Sequence, residues 1–172
     1  MIEKPYKIGL SLSGGGARGI AHIGVIQALL ENGIEPEIVS GTSAGSIVGA
    51  LYAAGCSVEA MQSFVEDSRI FKMFRFGGFK SGGLVKLTYL QERLTQFIKQ
   101  DSFESLKKPL YVCAANLNTG EGVLFHQGKL FEVVMASCAV PGFFTPVEIN
   151  GDVYIDGGIV LNLPAEKIRE QC

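Results

Sequence analysis

P-E-I-V-S-G-T-S-A-G-S-I-V-G-A-L-Y-A-A, residues 36–54, is the stretch whose reading decides the fold. Pro36 to Ser40 is a short run around Ile38 and Val39, with the length and β-branching of a strand. Gly41 interrupts it. From Ala44 to Ala54 the residues are small or apolar, which suits a helix packed on close neighbours, and Gly55 stops it. A strand running directly into a helix is the unit of an α/β fold. Between them, Gly41-Thr42-Ser43-Ala44-Gly45 fits G-x-S-x-G. In that pattern a sharp turn lifts a serine hydroxyl above the end of the sheet, and side chains at Gly41 or Gly45 would strike the adjacent strand and helix. The pentapeptide alone also reads as a small-residue turn in which Ser43 caps a buried helix.

Upstream, Lys7 to Ser13 reads as a strand, and a helix follows from Ala17 to a stop at Gly33. The junction is S-G-G-G-A-R-G, Ser13 to Gly19. Consecutive glycines at a helix start offer backbone N–H groups to an anion, aided by the helix dipole. In an esterase that anion is the oxygen of a tetrahedral intermediate. Gly14, Gly16 and Gly19 also satisfy the dinucleotide pattern G-x-G-x-x-G, which wants an acidic residue at the end of the second strand. Glu35 and Glu37 have the spacing, but they precede that strand's core.

Downstream, Ser57 suits an N-cap for a helix through Asp67, and Leu87 to Lys99 is amphipathic helix. Pro109 to Asn116 and Gly122 to Phe125 read as strands, and Leu130 to Ser137 as helix. Val147–Ile149 and Val153–Ile155 flank Asn150-Gly151-Asp152, a hairpin signal. The expectation is one domain over residues 1–172: α/β, a mainly parallel central sheet flanked by helices, with an antiparallel piece near the end. Residues 70–84 differ. Phe71, Phe74, Phe76 and Phe79 alternate there with Lys72, Arg75 and Lys80 and with glycines 77, 78, 82 and 83. That composition reads as a surface loop suited to transient contact with a lipid surface, or alternatively as rings packed in the core.

Composition narrows the function classes. With 47% apolar and 19% charged residues, the chain can bury a core without staples. Lysine plus arginine total 15 against 17 acidic residues, which argues against a nucleic-acid partner. Cys56, Cys113, Cys138 and Cys172 form no C-x-x-C pair and read as buried free thiols, with no metal expected. No leader-like core and no apolar run of the roughly 20 residues needed to span a bilayer is present. A cytoplasmic protein, peripheral at membranes at most, is expected.

Asp156-Gly157-Gly158 follows the apolar strand Val153–Ile155, so the carboxylate falls at a strand end, although Asp-Gly is also a common turn. Histidine settles the type of chemistry. Only His22 and His126 occur: His22 one turn into the first helix on its apolar side, His126 after a strand in F-H-Q-G. Neither follows Asp156, so a Ser…Asp…His order is absent. A serine and a carboxylate remain.

Together these residues resemble the patatin-like phospholipases, whose G-G-G-x-R-G loop, G-x-S-x-G elbow and D-G-A/G aspartate occur here in order. They are Gly14–Gly19, Gly41–Gly45 and Asp156–Gly158, and Ala136 to Val147 (A-S-C-A-V-P-G-F-F-T-P-V) resembles the family's segment ahead of the aspartate. The resemblance implies a three-layer architecture, Ser43 as nucleophile and Asp156 as base. It implies an oxyanion hole from Gly14, Gly15, Gly16 and Gly19, with Gly15 and Gly16 as donors and Arg18 fixing the loop. It further implies acyl esters of lipids as substrates and no cofactor. A side chain at Gly15 is expected to obstruct the substrate and to demand positive φ. Met135 and Asn116 stand where arginine and aspartate are frequent, and family members continue beyond a point like Cys172, so a shortened C-terminal end is expected. The alternatives are a catalytically silent scaffold and a nucleotide-binding domain.

Overall fold

The computed structural model describes residues 5–66 and 87–172. The segment 70–84 therefore lies outside the described residues. Six strands form one sheet: β1 (Gly9–Leu12), β2 (Ile38–Thr42), β3 (Leu110–Asn116), β4 (Gly122–Phe125), β5 (Val147–Ile149) and β6 (Asp152–Asp156). The helices are α1 (Ala21–Glu31), α2 (Ala44–Ala53), α3 (Val58–Glu66), α4 (Thr88–Phe97), α5 (Leu130–Ser137) and α6 (Ala165–Gln171). Three short 3-10 turns, Gly16–Ile20, Phe103–Ser105 and Gly157–Ile159, complete the described elements. The helix expected from Ala17 thus begins as a 3-10 turn and becomes α-helical at Ala21. Gly16 opens that turn at φ 55°, a conformation that holds the first N–H groups out of the α-helical ladder.

β2 is buried at every residue, as a central strand with helices on both faces must be. Its alternation sorts the layers. A side chain at Gly49 of α2 would touch Val39 and Leu110, so one face packs on α2. On the other face Ser40 Oγ lies 2.9 Å from the Pro164 carbonyl, and Thr42 Oγ1 donates to the Leu161 carbonyl at 3.1 Å. Ile168 of α6 reaches Gly9 on that same face. The result is a three-layer α/β fold. α3 is capped as expected, with the Ser57 hydroxyl accepting the Ala60 N–H.

The sheet is mixed. β1–β2 and β2–β3 pair parallel, whereas β4 and β6 run antiparallel to β3, and β5 antiparallel to β6. The antiparallel part is larger than the alternation of strands and helices suggested, because β4 returns directly onto β3 and the β5–β6 hairpin joins it. Asn150 and Gly151 close that hairpin with positive φ at both, as a type I′ turn requires.

Register fixes where β6 enters. Cys113 is opposite Thr42 on one side and Leu124 on the other, while Ala114 is opposite Val123 and Asp156. A strand has two edges, so β6 takes the edge that β2 has just left. The end of β2 and the end of β6 meet head to head at the Cys113–Ala114 step, which brings the Ser43 turn and Asp156 together.

Candidate active site

Ser43 sits between β2 and α2 with φ 52° and ψ −123°, a conformation that costs a non-glycine residue of order 1–3 kcal/mol. Among the described residues only Asn150, in the hairpin turn, shares a positive φ without being glycine. The neighbours force the bend. A methyl on Gly41 would lie 2.5 Å from the Gly45 carbonyl oxygen, and one on Gly45 would collide with the Leu12 carbonyl. Both motif glycines are thus close approaches of backbone to backbone. On the helix side, Ser46 donates to the Ser43 carbonyl from its N–H at 2.8 Å and from its hydroxyl at 2.6 Å.

Asp156 ends β6 at 6% exposure, and Ser43 is 4% exposed. The Asp156 carboxylate accepts the Gly158 N–H at 2.7 Å. Burial is the largest influence and raises its pKa above the ordinary 3.8, with the Ser43 side chain and the Gly158 N–H acting in the opposite sense. Gly157 lies on β3 so closely that a side chain there would enter the Cys113 carbonyl. The aspartate motif is therefore both a turn and a strand-end carboxylate.

The glycine loop faces the same point. A side chain at Gly14 would lie 3.2 Å from Ser43 Cβ, and Gly19 packs against Ala44. The Gly14 N–H is already committed to the Asn162 carbonyl at 3.2 Å. The N–H groups of Gly15, Gly16 and Ala44 have no acceptor among the described residues. Gly15 is extended at φ 172°, and a methyl there would find nothing nearer than 3.7 Å. The expected need for positive φ belongs to Gly16 instead. Arg18 is exposed and holds the loop through its backbone, whose N–H donates to the Gly15 carbonyl at 3.1 Å.

Neither histidine joins the pair. His22 Nε2 lies 2.9 Å from the Ser13 carbonyl, so Nε2 carries the proton and the ring fastens α1 to the glycine loop. His126 is exposed and stacks beside Tyr111, past the far end of β4. The acidic residues of the dinucleotide reading are also elsewhere: Glu35 pairs with Lys108 at 2.7 Å and Glu37 accepts the Lys7 N–H. Cys113 and Cys138 are buried beside the site, and burial pushes the Cys113 thiol up to about 11 and Cys138 higher still, so both stay neutral.

Sequence reasoning missed three participants. Asn162 supplies the carbonyl that takes the Gly14 N–H, and its Oδ1 approaches Gly14 and Gly158. Ser137 accepts the Ser43 N–H at 2.8 Å. Ala44 contributes an open N–H at the start of α2. Asn116, quoted as a departure, organises its turn by accepting the Asn118 and Thr119 N–H groups.

The family model described as patatin-like phospholipase matches residues 10–168. An uncharacterised NTE-family protein of Mycobacterium bovis is 34% identical over 163 residues, covering 94% of this chain and 45% of its own. Lysophospholipase nte1 of Aspergillus fumigatus is 34% identical over 167 residues, covering 94% of this chain and 11% of its own. The chain thus spans about half, or much less, of the curated relatives it matches. Among solved structures, VipD from Legionella pneumophila superposes with a TM-score of 0.64 at 21% identity, over 93% of this chain and 47% of that one. ExoU of Pseudomonas aeruginosa gives 0.56 at 19% identity, over 79% and 39%. With the family model spanning nearly all of it, and relatives above 30% identity aligned along most of its length, the chain belongs to the patatin-like phospholipase family.

Proposed function

We propose that the protein is a serine acyl hydrolase that cleaves carboxylic esters of lipids through a Ser43–Asp156 dyad, with phospholipase A or lysophospholipase-type chemistry. The observation that carries this reading is a buried carboxylate, Asp156, beside a serine on a strained elbow, with both histidines engaged elsewhere. Ser43 Oγ attacks the ester carbonyl as its proton passes to Asp156. The tetrahedral oxyanion accepts hydrogen bonds from the open N–H groups of Gly15 and Gly16, with Ala44 N–H at the start of α2 as a further donor. Collapse expels the alcohol, which takes the proton from Asp156, and leaves an acyl-serine. Water, deprotonated by Asp156, then releases the acid and restores the serine. An ordinary aspartate is a feeble base for a hydroxyl. Desolvation raises its basicity toward working pH, and the backbone donors offset the charge that develops.

Three exposed apolar side chains follow Asp156 closely: Ile159, Val160 and Leu163, at 62, 49 and 50% exposure. They support an acyl substrate taken from a lipid aggregate, as does the name of the lysophospholipase relative. No helix among the described residues is long and apolar enough to cross a membrane. A cytoplasmic location with transient membrane contact through residues 70–84 belongs to the same proposal. The test compares hydrolysis of lysophosphatidylcholine and a short p-nitrophenyl ester by wild type, Ser43→Ala, His22→Gln and His126→Ala. Loss with Ser43→Ala alone is expected. Equal loss with His126→Ala in a folded protein would replace the dyad by a triad, and no turnover by wild type would favour a silent scaffold.

A further inference from the structure

The parallel ladder between β2 and β3 is interrupted at one particular bond. Val39 N–H donates to the Pro109 carbonyl at 3.0 Å. Ladder bonds from one parallel strand repeat every second residue, so the series runs Val39 to Pro109, Gly41 to Tyr111, and then Ser43 to Cys113. The last bond is not made directly, because at Ser43 the chain turns away from β3. A side chain fills the gap. Ser137 Oγ, at the last residue of α5, accepts the Ser43 N–H at 2.8 Å and donates its own proton to the Cys113 carbonyl at 2.6 Å. Ser137 is fully buried, so no water can replace it without repacking.

We propose that Ser137 is the positioning residue of the nucleophile elbow, a hydroxyl splint that continues the β2–β3 ladder through the one residue that must leave it. The proposal rests on the reading of Ser43 as nucleophile. Ser137 touches no substrate. It fixes the peptide plane before Ser43, and with it the direction of Cα–Cβ toward Asp156 and the glycine loop. It also occupies the Ser43 N–H, so that group takes no part in binding the oxyanion. Without the hydroxyl, a buried donor and a buried acceptor both lose their partner, and the strained elbow is free to relax.

The test uses Ser137→Ala, Ser137→Cys and Ser137→Thr in the whole chain, with Ser43→Ala as control. A displacement of the nucleophile by about 1 Å can cost on the order of 100-fold in rate. Ser137→Ala is therefore expected to lower kcat for a short-chain ester about 10- to 100-fold while KM stays within about twofold. Ser137→Thr, which keeps the hydroxyl, should recover most of it, and Ser137→Cys should fall between. Hydrogen exchange should quicken at the Ser43 amide while the β1–β2 amides keep their protection. If Ser137→Ala does not fold, the cysteine variant carries the same comparison. Wild-type kcat and unchanged Ser43 exchange in a folded Ser137→Ala or Ser137→Cys, with Ser43→Ala inactive, would overturn the splint and leave the nucleophile standing. An active Ser43→Ala would overturn the catalytic reading, and the splint's catalytic role with it.

Discussion

Asp156→Asn should make the protein more stable and much less active, and the stability gain should depend on pH. The carboxylate is 6% exposed, and burial is the largest influence on its titration, raising the pKa above 3.8 in the fold. Each tenfold weakening of ionisation corresponds to about 1.4 kcal/mol of folding free energy lost once the group is charged. Asparagine keeps the oxygen that accepts the Gly158 N–H, and offers an N–H toward Ser43, so it sheds the charge without opening a cavity. The sign follows from the direction of the shift. A carboxyl with a raised folded pKa favours folding below its unfolded value, near 3.8, and loses that contribution as pH rises through the folded value. Wild type is therefore handicapped at neutral pH and the variant is not. A relief of about 1 kcal/mol would raise Tm by roughly 2–4 °C in a domain of this size. The gain should shrink toward zero as pH falls to about 4. Removal of the base should cost about 100- to 10,000-fold in ester turnover. Thermal unfolding followed by circular dichroism from pH 4 to 8, beside a p-nitrophenyl ester assay, measures both. A Tm difference that does not change with pH, or a variant less stable at pH 8, would refute a desolvated carboxylate.

The motif glycines should divide by mechanism. Gly45→Ala drives a methyl into the Leu12 carbonyl and should cost stability by about 1–3 kcal/mol or more, read as a fall in Tm. Gly15→Ala finds open space, so Tm should hold while kcat falls more than KM rises; a change in KM alone would count against an oxyanion role. Ile159→Ser should slow hydrolysis of anionic vesicles several-fold and spare a soluble monomeric ester, and equal loss on both would remove Ile159 from the lipid contact.

What the sequence made legible is what chemistry writes locally. A serine that must stand on a strand-to-helix turn needs small residues two positions either side, and Gly41 and Gly45 announce it. Asp156 is announced by the strand before it and the glycines after it. The hairpin at Asn150-Gly151 is legible for the same reason, since a type I′ turn needs positive φ at both central residues. Ser137 is not legible. It is 94 residues from the N–H it accepts, and nothing near it marks a hydroxyl that leaves its own helix to mend a ladder. The Asn162 carbonyl, which takes the Gly14 N–H from the glycine loop, is equally remote. Strand alternation implied parallel pairing and gave β1–β2–β3 correctly, but periodicity cannot say which edge a later strand takes. That β6 enters the row vacated by β2 is a fact of register, and it is what sets Asp156 against Ser43.

The most direct measurement is identification of the residue that becomes acylated. Wild type and the Asp156→Asn, Ser43→Ala and His126→Ala variants are mixed with a p-nitrophenyl ester, quenched in acid within the first turnovers, and analysed by intact mass and peptide mapping; a fluorophosphonate provides a stable parallel label. One acyl group per chain is expected, on the peptide containing Gly41 to Gly45 and at Ser43. The adduct should form at the wild-type rate in His126→Ala, far more slowly in Asp156→Asn, and not at all in Ser43→Ala. An adduct on any other residue, or ester turnover that persists in Ser43→Ala, would contradict Ser43 as the nucleophile.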